Sequence, residues 1–328
     1  MSARVGGALA LAALVALPPL MSKYHLEILI SVLFWAYLGI AWNMLGGYAG
    51  QFSFGHAAFF GIGAYTSTLL LLRAGLTPWI GMALGGLLAA VFGLFEGYLS
   101  FRYGLKGPYF SLVTLAFAEM LRVIAVNTKA VGSSLGLVVP TSPSAPGLFI
   151  FSGKLPYYYI ILAMGALALA LTWKIGRSRL GFSLAAVREN EDAAETAGVD
   201  ALATKLRAMA LSSFLTALGG TFYAQYFAYI DPTITFGPAV SIQGLLQAIV
   251  GGAGTVLGPL IGPFVLTPIS ELSRAAIRGR AGVDVMLYGF VLILVISFLP
   301  NGIMGWVHRR ARPRRGRGRG NPTRVPLQ

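Results

Sequence analysis

Acidic side chains are concentrated in one stretch of the chain, where they could recognise a partner. Five of the eleven acidic residues lie within positions 189–200, between basic residues on both sides. Asn190 can cap a short helix whose first turn carries Glu191, where negative charge interacts favourably with the helix dipole. Gly198 can end that helix, and Asp200 can cap the next one. The pattern predicts a short, charged helix that faces water, either as a contact surface or as an ordinary capped linker.

Small residues beside these charges favour the contact surface. Ala193, Ala194 and Ala197 offer a low face against which another protein could pack, next to the charges on the same short helix. Long apolar segments precede and follow the whole stretch. We therefore predict that residues 177–207 form a loop that binds a second protein.

The sequence contains no recognisable catalytic motif. It has no Gly-x-Ser-x-Gly elbow, no His-Glu-x-x-His pair and no phosphate-binding loop. The absence of cysteine excludes disulfides and thiolate metal sites, and the histidines at positions 25, 56 and 308 are too scattered to form a metal cluster. The sequence predicts a protein that is not an enzyme and binds no metal or cofactor directly.

The composition is that of a membrane protein. With 56% hydrophobic and only 11% charged residues, the chain has too much apolar surface for a soluble domain. Segments of about 20 apolar residues predict an all-α, polytopic protein with about ten transmembrane helices. The predicted spans are 5–21, 26–46, 57–73, 78–101, 108–127, 156–174, 207–229, 239–256, 258–275 and 283–299.

Basic residues indicate the orientation. By the positive-inside rule, Lys106, the 177–207 loop and the arginine-rich residues 308–328 should all face the cytoplasm, and ten crossings place them there. The Ser-, Pro- and Gly-rich segment 128–155 then lies on the other side. Residues 1–307 are predicted to form the transmembrane domain.

The C-terminal segment 308–328 is predicted to be a disordered cytoplasmic tail. Eight arginines fall between positions 309 and 324, and they can attract anionic membrane lipid. Nucleic acid is not an expected partner, because the segment lacks interleaved aromatic residues and any recognised binding fold.

A weak internal repeat suggests an inverted duplication. The sequence at 52–57, FSFGHA, resembles ITFGPA at 234–239, and each precedes an apolar helix. In the ten-span topology one copy lies near each face of the membrane. An inverted repeat, which is common among transporters, has that arrangement.

Polar residues at membrane depth are the candidates for a translocation path. One group surrounds the glycine-rich break at 46–50, and two glutamines share a helix face at i, i+4 spacing. Neutral amides suit weak, transient contacts with a zwitterion, although they also serve as hydrogen bonds between helices. The candidates are Asn43, Gln51, Ser53, His56, Gln243 and Gln247.

Several stretches together resemble the membrane permease subunit of ABC importers for branched-chain amino acids. GYAGQFSFGHAAFFGIGAYTS and LKGPYFSLVTLAFAEMLRVI are similar to stretches of that family, as are the charged loop with the helix after it and two C-terminal runs. The resemblance spans about 45–305. The five stretches are 47–67, 105–124, 181–224, 247–264 and 299–305.

The resemblance implies a multi-component importer in the bacterial plasma (inner) membrane. Two homologous permease subunits form the path, cytoplasmic ATPase subunits use ATP, and a soluble extracytoplasmic protein delivers the substrate. Import of another small solute, such as urea, a short amide or an aromatic acid, remains an alternative, as does a self-sufficient secondary carrier or channel. The residues that the resemblance assigns to coupling with the ATPase are Arg188, Glu189, Asn190, Glu191, Ala193, Ala194 and Gly198.

Overall fold

A computed structural model describes residues 14–140, 145–276 and 302–311, together with positions 289, 293 and 297. This part of the chain is almost entirely helical, and the prediction of an all-α, polytopic membrane protein is confirmed. Most of the first predicted span and nearly all of the last lie outside the described residues, so the count of ten stays a prediction. Within the described residues, six segments are long and apolar enough to cross a membrane: Lys23–Tyr48, His56–Ala74, Pro78–Arg102, Pro108–Asn127, Lys154–Gly176 and Pro232–Gly251.

Twelve α-helices are described. A π-helical turn, Met44–Tyr48, extends the first of them. The helices are α1 Lys23–Asn43, α2 His56–Ala74, α3 Pro78–Arg102, α4 Pro108–Asn127, α5 Lys154–Gly176, α6 Arg179–Glu189, α7 Glu191–Thr196, α8 Ala201–Phe227, α9 Pro232–Thr235, α10 Pro238–Gly251, α11 Gly258–Ala276 and α12 Gly302–Ala311. Eight of them correspond to predicted spans, while α6, α7, α9 and α12 do not.

Residues at the helix ends explain these bounds. α3 and α4 begin with Pro78 and Pro108, whose fixed φ and missing N–H suit the first helical position. Asn190 and Asp200 accept hydrogen bonds from backbone N–H groups three residues later, at 3.0 and 2.8 Å. Gly198 has φ +86° at the end of α7. The caps predicted for α7 and α8 are therefore confirmed.

The core forms around α8, which packs against both α2 and α3. Glycines bring the backbones close together. A Cβ atom on Gly63 of α2 would lie 2.0 Å from the carbonyl oxygen of Ala217, and one on Gly220 of α8 would lie 2.0 Å from that of Phe60. Small residues are needed here because helices in lipid associate through close packing and not through a hydrophobic force.

Contacts between loops define two opposite ends of the bundle. At one end, which we call the strand end, β1 (Leu137–Val138) pairs antiparallel with β2 (Tyr229–Ile230). The ion pair between Lys154 and Glu27 also lies there. At the other, the α7 end, Lys106 lies 3.4 Å from a carboxylate oxygen of Glu191. The segments 128–155 and 177–207 thus lie at opposite ends, which the predicted topology requires.

The helices that follow the two similar segments, α2 and α10, pack against each other. The backbone N–H of Ala57 donates to the Ser241 hydroxyl at 2.8 Å. Farther along α2, the Phe236 ring stacks on Tyr65 with a centroid separation of 5.5 Å. Because later residues of α2 contact earlier residues of the partner segment, α2 and α10 run antiparallel, which an inverted repeat requires.

The predicted tail is described only at its start. α12 continues past residue 308, the predicted beginning of the tail, to Ala311. The remainder of the predicted tail lies outside the described residues, and its disorder stays a prediction.

Candidate functional site

The segment predicted as a loop is built from two helices, α6 and α7. The sequence analysis did not anticipate α6. Ser178 caps it by accepting a hydrogen bond from the N–H of Gly181 at 3.4 Å. Leu184 and Val187 are both buried on its inner face. Their spacing of three residues is helical, and it is the signal that would have revealed this helix.

One predicted member of the contact surface points inward. Ala194 is only 5% exposed, because α7 packs this alanine against Val187 and Ala201. Ala193 and Ala197 are exposed. The expectation that all three alanines are exposed is therefore wrong for Ala194, whose side chain packs α7 against its neighbours. Ala193 and Ala197 are exposed as expected.

Glu191 fastens α7 to the bundle through two lysines. Lys205, whose side chain is 3% exposed, donates a hydrogen bond to the Glu191 carboxylate, and Lys106 reaches its other oxygen. Burial alone would raise the pKa of Glu191, but its bonds and charge interactions with these lysines lower that pKa below the ordinary value. Glu191 in turn raises the pKa of Lys106. We call these three residues the Glu191 clamp.

The pKa shifts predict a pH window for the Glu191 clamp. A lowered folded-state pKa gives stabilisation that is fully present above the ordinary value of 4.5 and is lost as the pH falls through the lowered pKa. The raised pKa of Lys106 gives stabilisation that is lost only as the pH rises above 10.5. Hydrogen exchange of the α7 amides, corrected for intrinsic rates, should therefore accelerate below pH 4.5. A Glu191→Gln variant should lack that transition; the same profile in both proteins would contradict the assignment.

Arg188, on α6, connects that helix to the π-helical turn at the end of α1. Its Nη1 donates a hydrogen bond to the carbonyl oxygen of Gly47 in the π-helical turn at 2.9 Å. Its aliphatic carbons cover Gly50, where a Cβ atom would lie 2.7 Å from the Arg188 Cγ. The guanidinium also approaches Gly254, so one side chain touches the end of α1 and the loop between α10 and α11.

Asn43 links those two elements directly. Its Nδ2 donates to the carbonyl oxygen of Thr255 at 3.0 Å, and its Oδ1 accepts from the N–H of Gly254 at 2.7 Å. Asn43 is fully buried, so both bonds are shielded from water. A continuous series of contacts therefore runs from α6 through Arg188 and the π-helical turn to the loop at residues 252–257.

The α7 end carries an open cleft of about 580 Å³. Its walls come from the π-helical turn, the turn before α4 and the residues that join α6 to α7. Gln51 lies in it and donates a hydrogen bond to the carbonyl oxygen of Ala49 at 3.3 Å. Both Arg188 and Glu191 line the same cleft, so two of the residues predicted to couple with the ATPase lie beside the π-helical turn.

The structure does not bring the six path candidates together. Asn43, Ser53 and His56 are buried and hydrogen-bonded inside the bundle; His56 Nε2, for example, lies 2.8 Å from the Ser212 hydroxyl. That placement favours a packing role for these three. Gln51 lies in the cleft at the α7 end. Gln243 and Gln247 line a separate cavity of about 160 Å³.

Comparisons with known proteins agree with this architecture. Residues 24–296 match the family described as branched-chain amino acid transport system, permease component. The chain belongs to this family. It is 25% identical to the high-affinity branched-chain amino acid permease protein LivM of Salmonella typhimurium, over 93% of this chain and 76% of the relative. It is 27% identical to BraD of Pseudomonas aeruginosa, over 83% of this chain and 91% of the relative. No solved structure matches the chain.

Family membership confirms the resemblance seen in the sequence. The protein is a multi-pass membrane permease and a transport subunit of a multi-component system. The matched relatives include LivH as well as LivM, two permease proteins of one type of transport system.

Sequence reasoning missed several residues that shape the permease's sites. Lys205 was read only as a flanking charge, yet it is buried and holds Glu191. The Gly47 carbonyl group, which accepts a hydrogen bond from Arg188, was also missed, because a backbone group cannot be recognised from the residue type. The aromatic residues that line the cavity beside Gln243 were also missed, although four aromatic residues within six positions of α8 (Phe222, Tyr223, Tyr226 and Phe227) gave a visible signal.

Proposed function

We propose that the permease is a transmembrane subunit of an ATP-driven importer for branched-chain amino acids. Its family and the names of its relatives support that substrate class. Its partners are a second permease subunit, cytoplasmic ATPase subunits that bind and hydrolyse ATP, and a soluble extracytoplasmic protein that delivers the substrate. The permease itself binds no cofactor in this scheme.

The observation that carries the proposal is the double attachment of α6 and α7. The exposed face of α7, with Ala193 and Ala197, is available to an ATPase subunit, while its other face is held to the bundle. The Glu191 clamp ties α7 to α8, and Arg188 ties α6 to the π-helical turn. A displacement of α6 and α7 would therefore be transmitted to α8 and to the end of α1.

The orientation of the permease follows from its basic residues. Arg102, Lys106, Lys174, Arg177 and Arg179 all lie at the α7 end. The positive-inside rule supports a cytoplasmic location for that end, in the bacterial inner membrane. The strand end, with its long connection before α5, then faces the delivering protein.

A charge reversal in the clamp tests the coupling role. In Glu191→Lys, the new lysine would repel Lys106 and Lys205, which the Glu191 carboxylate now binds. We therefore expect α7 to detach from α8. We expect leucine import by the assembled transporter to fall by about tenfold or more, since a broken charge-assisted bond costs about 1.5–3 kcal/mol. The permease should remain inserted, because α7 lies outside the helix core.

The matched control is Lys129→Glu, a charge reversal at the strand end. Lys129 follows α4 and touches no part of α6 or α7. The Lys129→Glu variant should leave the ratio of ATP hydrolysed to leucine imported unchanged. The Glu191→Lys variant should raise that ratio. Normal import by correctly inserted Glu191→Lys would show that α7 is only a linker.

A further inference from the structure

We propose that a cavity at the strand end of this permease binds a free amino acid, whose carboxylate lies at the N-terminus of α5 and whose ammonium group is bound by Gln225. This inference rests on the proposed function and adds to it a site that the substrate occupies after delivery. The cavity has a volume of about 230 Å³. Its lining comes from the end of α8, the start of α5 and the connection that precedes α5, which places it at the strand end.

Gln225, near the end of α8, is a buried amide that lines this cavity. It is 4% exposed, and neither its Oε1 nor its Nε2 has a hydrogen-bond partner in the part of the chain that the structure describes. Buried polar atoms in proteins are nearly always hydrogen-bonded, because an unmade bond is costly. An amide has one group that donates and one that accepts. A guest that satisfies Gln225 therefore carries both an acceptor and a donor.

The N-terminus of α5 opens on the same cavity. Gly153 and Lys154 belong to the cavity lining, and no side chain caps this helix of 23 residues. A Cβ atom on Gly153 would meet nothing within 4 Å, so the start of the helix is uncovered. The N–H groups of a first helical turn and the positive end of the helix dipole attract carboxylates. Lys154 is already paired with Glu27, so the preference for an anion rests on the helix and not on the lysine.

A free amino acid has the groups that this arrangement requires. Its carboxylate accepts hydrogen bonds from the first turn of α5 and from Gln225 Nε2, and its ammonium group donates to Gln225 Oε1. Both groups are attached to one α-carbon, so one amide can contact both. A peptide segment of a partner protein also offers a donor and an acceptor, but its carbonyl group brings no full negative charge to the helix N-terminus. The helix therefore favours the free amino acid.

The apolar walls and the volume fit an aliphatic side chain. Phe151, Tyr157 and Tyr226 line the cavity, and the Tyr157 ring centroid lies 5.2 Å from that of Phe151 and 5.5 Å from that of Tyr226. The Tyr157 hydroxyl donates to the Phe149 carbonyl oxygen at 3.2 Å, so Tyr157 contributes its ring to the wall. A cavity of about 150 Å³ accepts benzene, so about 230 Å³ accepts about nine non-hydrogen atoms, the number in leucine.

Cysteine protection tests the site, because the native chain has no cysteine. Ser152→Cys places one thiol on the cavity lining with little change in side-chain size. The assembled transporter, in detergent and without the soluble delivering protein, is treated with a small water-soluble thiol reagent, and labelling is measured by mass spectrometry of this chain. Leucine should slow the labelling. Leucinamide, which lacks the carboxylate, and 4-methylpentanoate, which lacks the ammonium group, should each need about tenfold higher concentrations or more for equal protection.

The matched control is Ser134→Cys. Ser134 lies in the same long connection at the strand end, is exposed and does not line the cavity. Labelling of this variant should respond to none of the three compounds.

Gln225→Met separates a binding role from a structural one. Methionine has a similar length but none of the amide's hydrogen-bonding groups. When it is added to Ser152→Cys, the leucine concentration needed for protection should rise by about tenfold or more. The same substitution removes two unpaired buried polar atoms, so the denaturant midpoint without leucine should stay equal or rise. A lower midpoint would mean that Gln225 is bonded within the protein, which would contradict the site.

Three further outcomes would overturn the inference. Equal protection by all three compounds would mean that the cavity takes any molecule with this carbon skeleton. Protection by the soluble delivering protein, but not by free leucine, would make the cavity a docking surface for that protein. No protection by leucine, in a transporter that imports leucine, would remove the site and leave the proposed function intact. Protection by leucine in a transporter that imports none would contradict the proposed function alone.

Discussion

Replacing Arg188 with alanine should reduce substrate import by about tenfold or more while the assembled transporter continues to hydrolyse ATP. The substitution removes the bond from Nη1 to the Gly47 carbonyl and uncovers Gly50. A hydrogen bond from a charged donor contributes about 1.5–3 kcal/mol, which corresponds to a factor of ten or more in a conformational equilibrium. Import and ATP hydrolysis, measured together in proteoliposomes, give the result.

The control for this experiment is Arg179→Ala. Arg179 lies on the same helix, carries the same charge and is exposed at the start of α6. Its loss should leave import within about twofold of the native level, because exposed charges contribute little. Arg188→Lys should fall between the two, since a lysine keeps the charge but not the planar donor. Equal import by Arg188→Ala and Arg179→Ala would refute the role of Arg188 as a connection.

The second large effect concerns the helix core. Gly63→Ala and Gly220→Ala each place a methyl group 2.0 Å from a backbone carbonyl oxygen of the facing helix. Backbone cannot rotate away as a side chain can, so α2 and α8 must separate. We expect each substitution to destabilise the permease by about 3 kcal/mol, the upper end of the usual cost of overpacking. The loss would appear as a lower denaturant midpoint in detergent.

Gly165→Ala provides the comparison. Gly165 lies within α5, and a Cβ atom there would meet nothing within 4 Å. Alanine also favours the helix more than glycine does, by about 1 kcal/mol. This variant should be as stable as the native permease or slightly more so. A matching loss of stability in Gly165→Ala and Gly63→Ala would mean that helix propensity, and not the close approach of α2 to α8, determines the effect.

Features that depend on neighbouring residues could be predicted from the sequence. Asn190 and Asp200 cap their helices because each side chain reaches only three residues ahead, and Gly198 ends α7 because its backbone adopts a positive φ. The spans were likewise predictable, since about 20 apolar residues are needed to cross lipid wherever they occur. The location of segments 128–155 and 177–207 at opposite ends of the bundle also followed from the number of spans between them.

Features that depend on distant residues could not be predicted in this way. Arg188 donates to Gly47 across 141 positions of sequence, and Asn43 accepts from Gly254 across 211. No local pattern selects such partners. The six path candidates illustrate the limit: each is polar and lies in an apolar region, but only the fold separates the buried, bonded Asn43 and His56 from Gln243 and Gln247, which line a cavity.

The length and attachments of α8 have a thermodynamic consequence. This helix of 27 residues is about 40 Å long and runs without interruption from the α7 end to β2. Lys205 near its start is bound to α7, and β2 just beyond its end is paired with the long connection at the strand end. A rigid rod fixed at both faces cannot be displaced at one without displacement at the other. Any protein whose docking at the strand end shifts α8 must change the affinity of a partner at α7, and that partner must change the first affinity by the same factor.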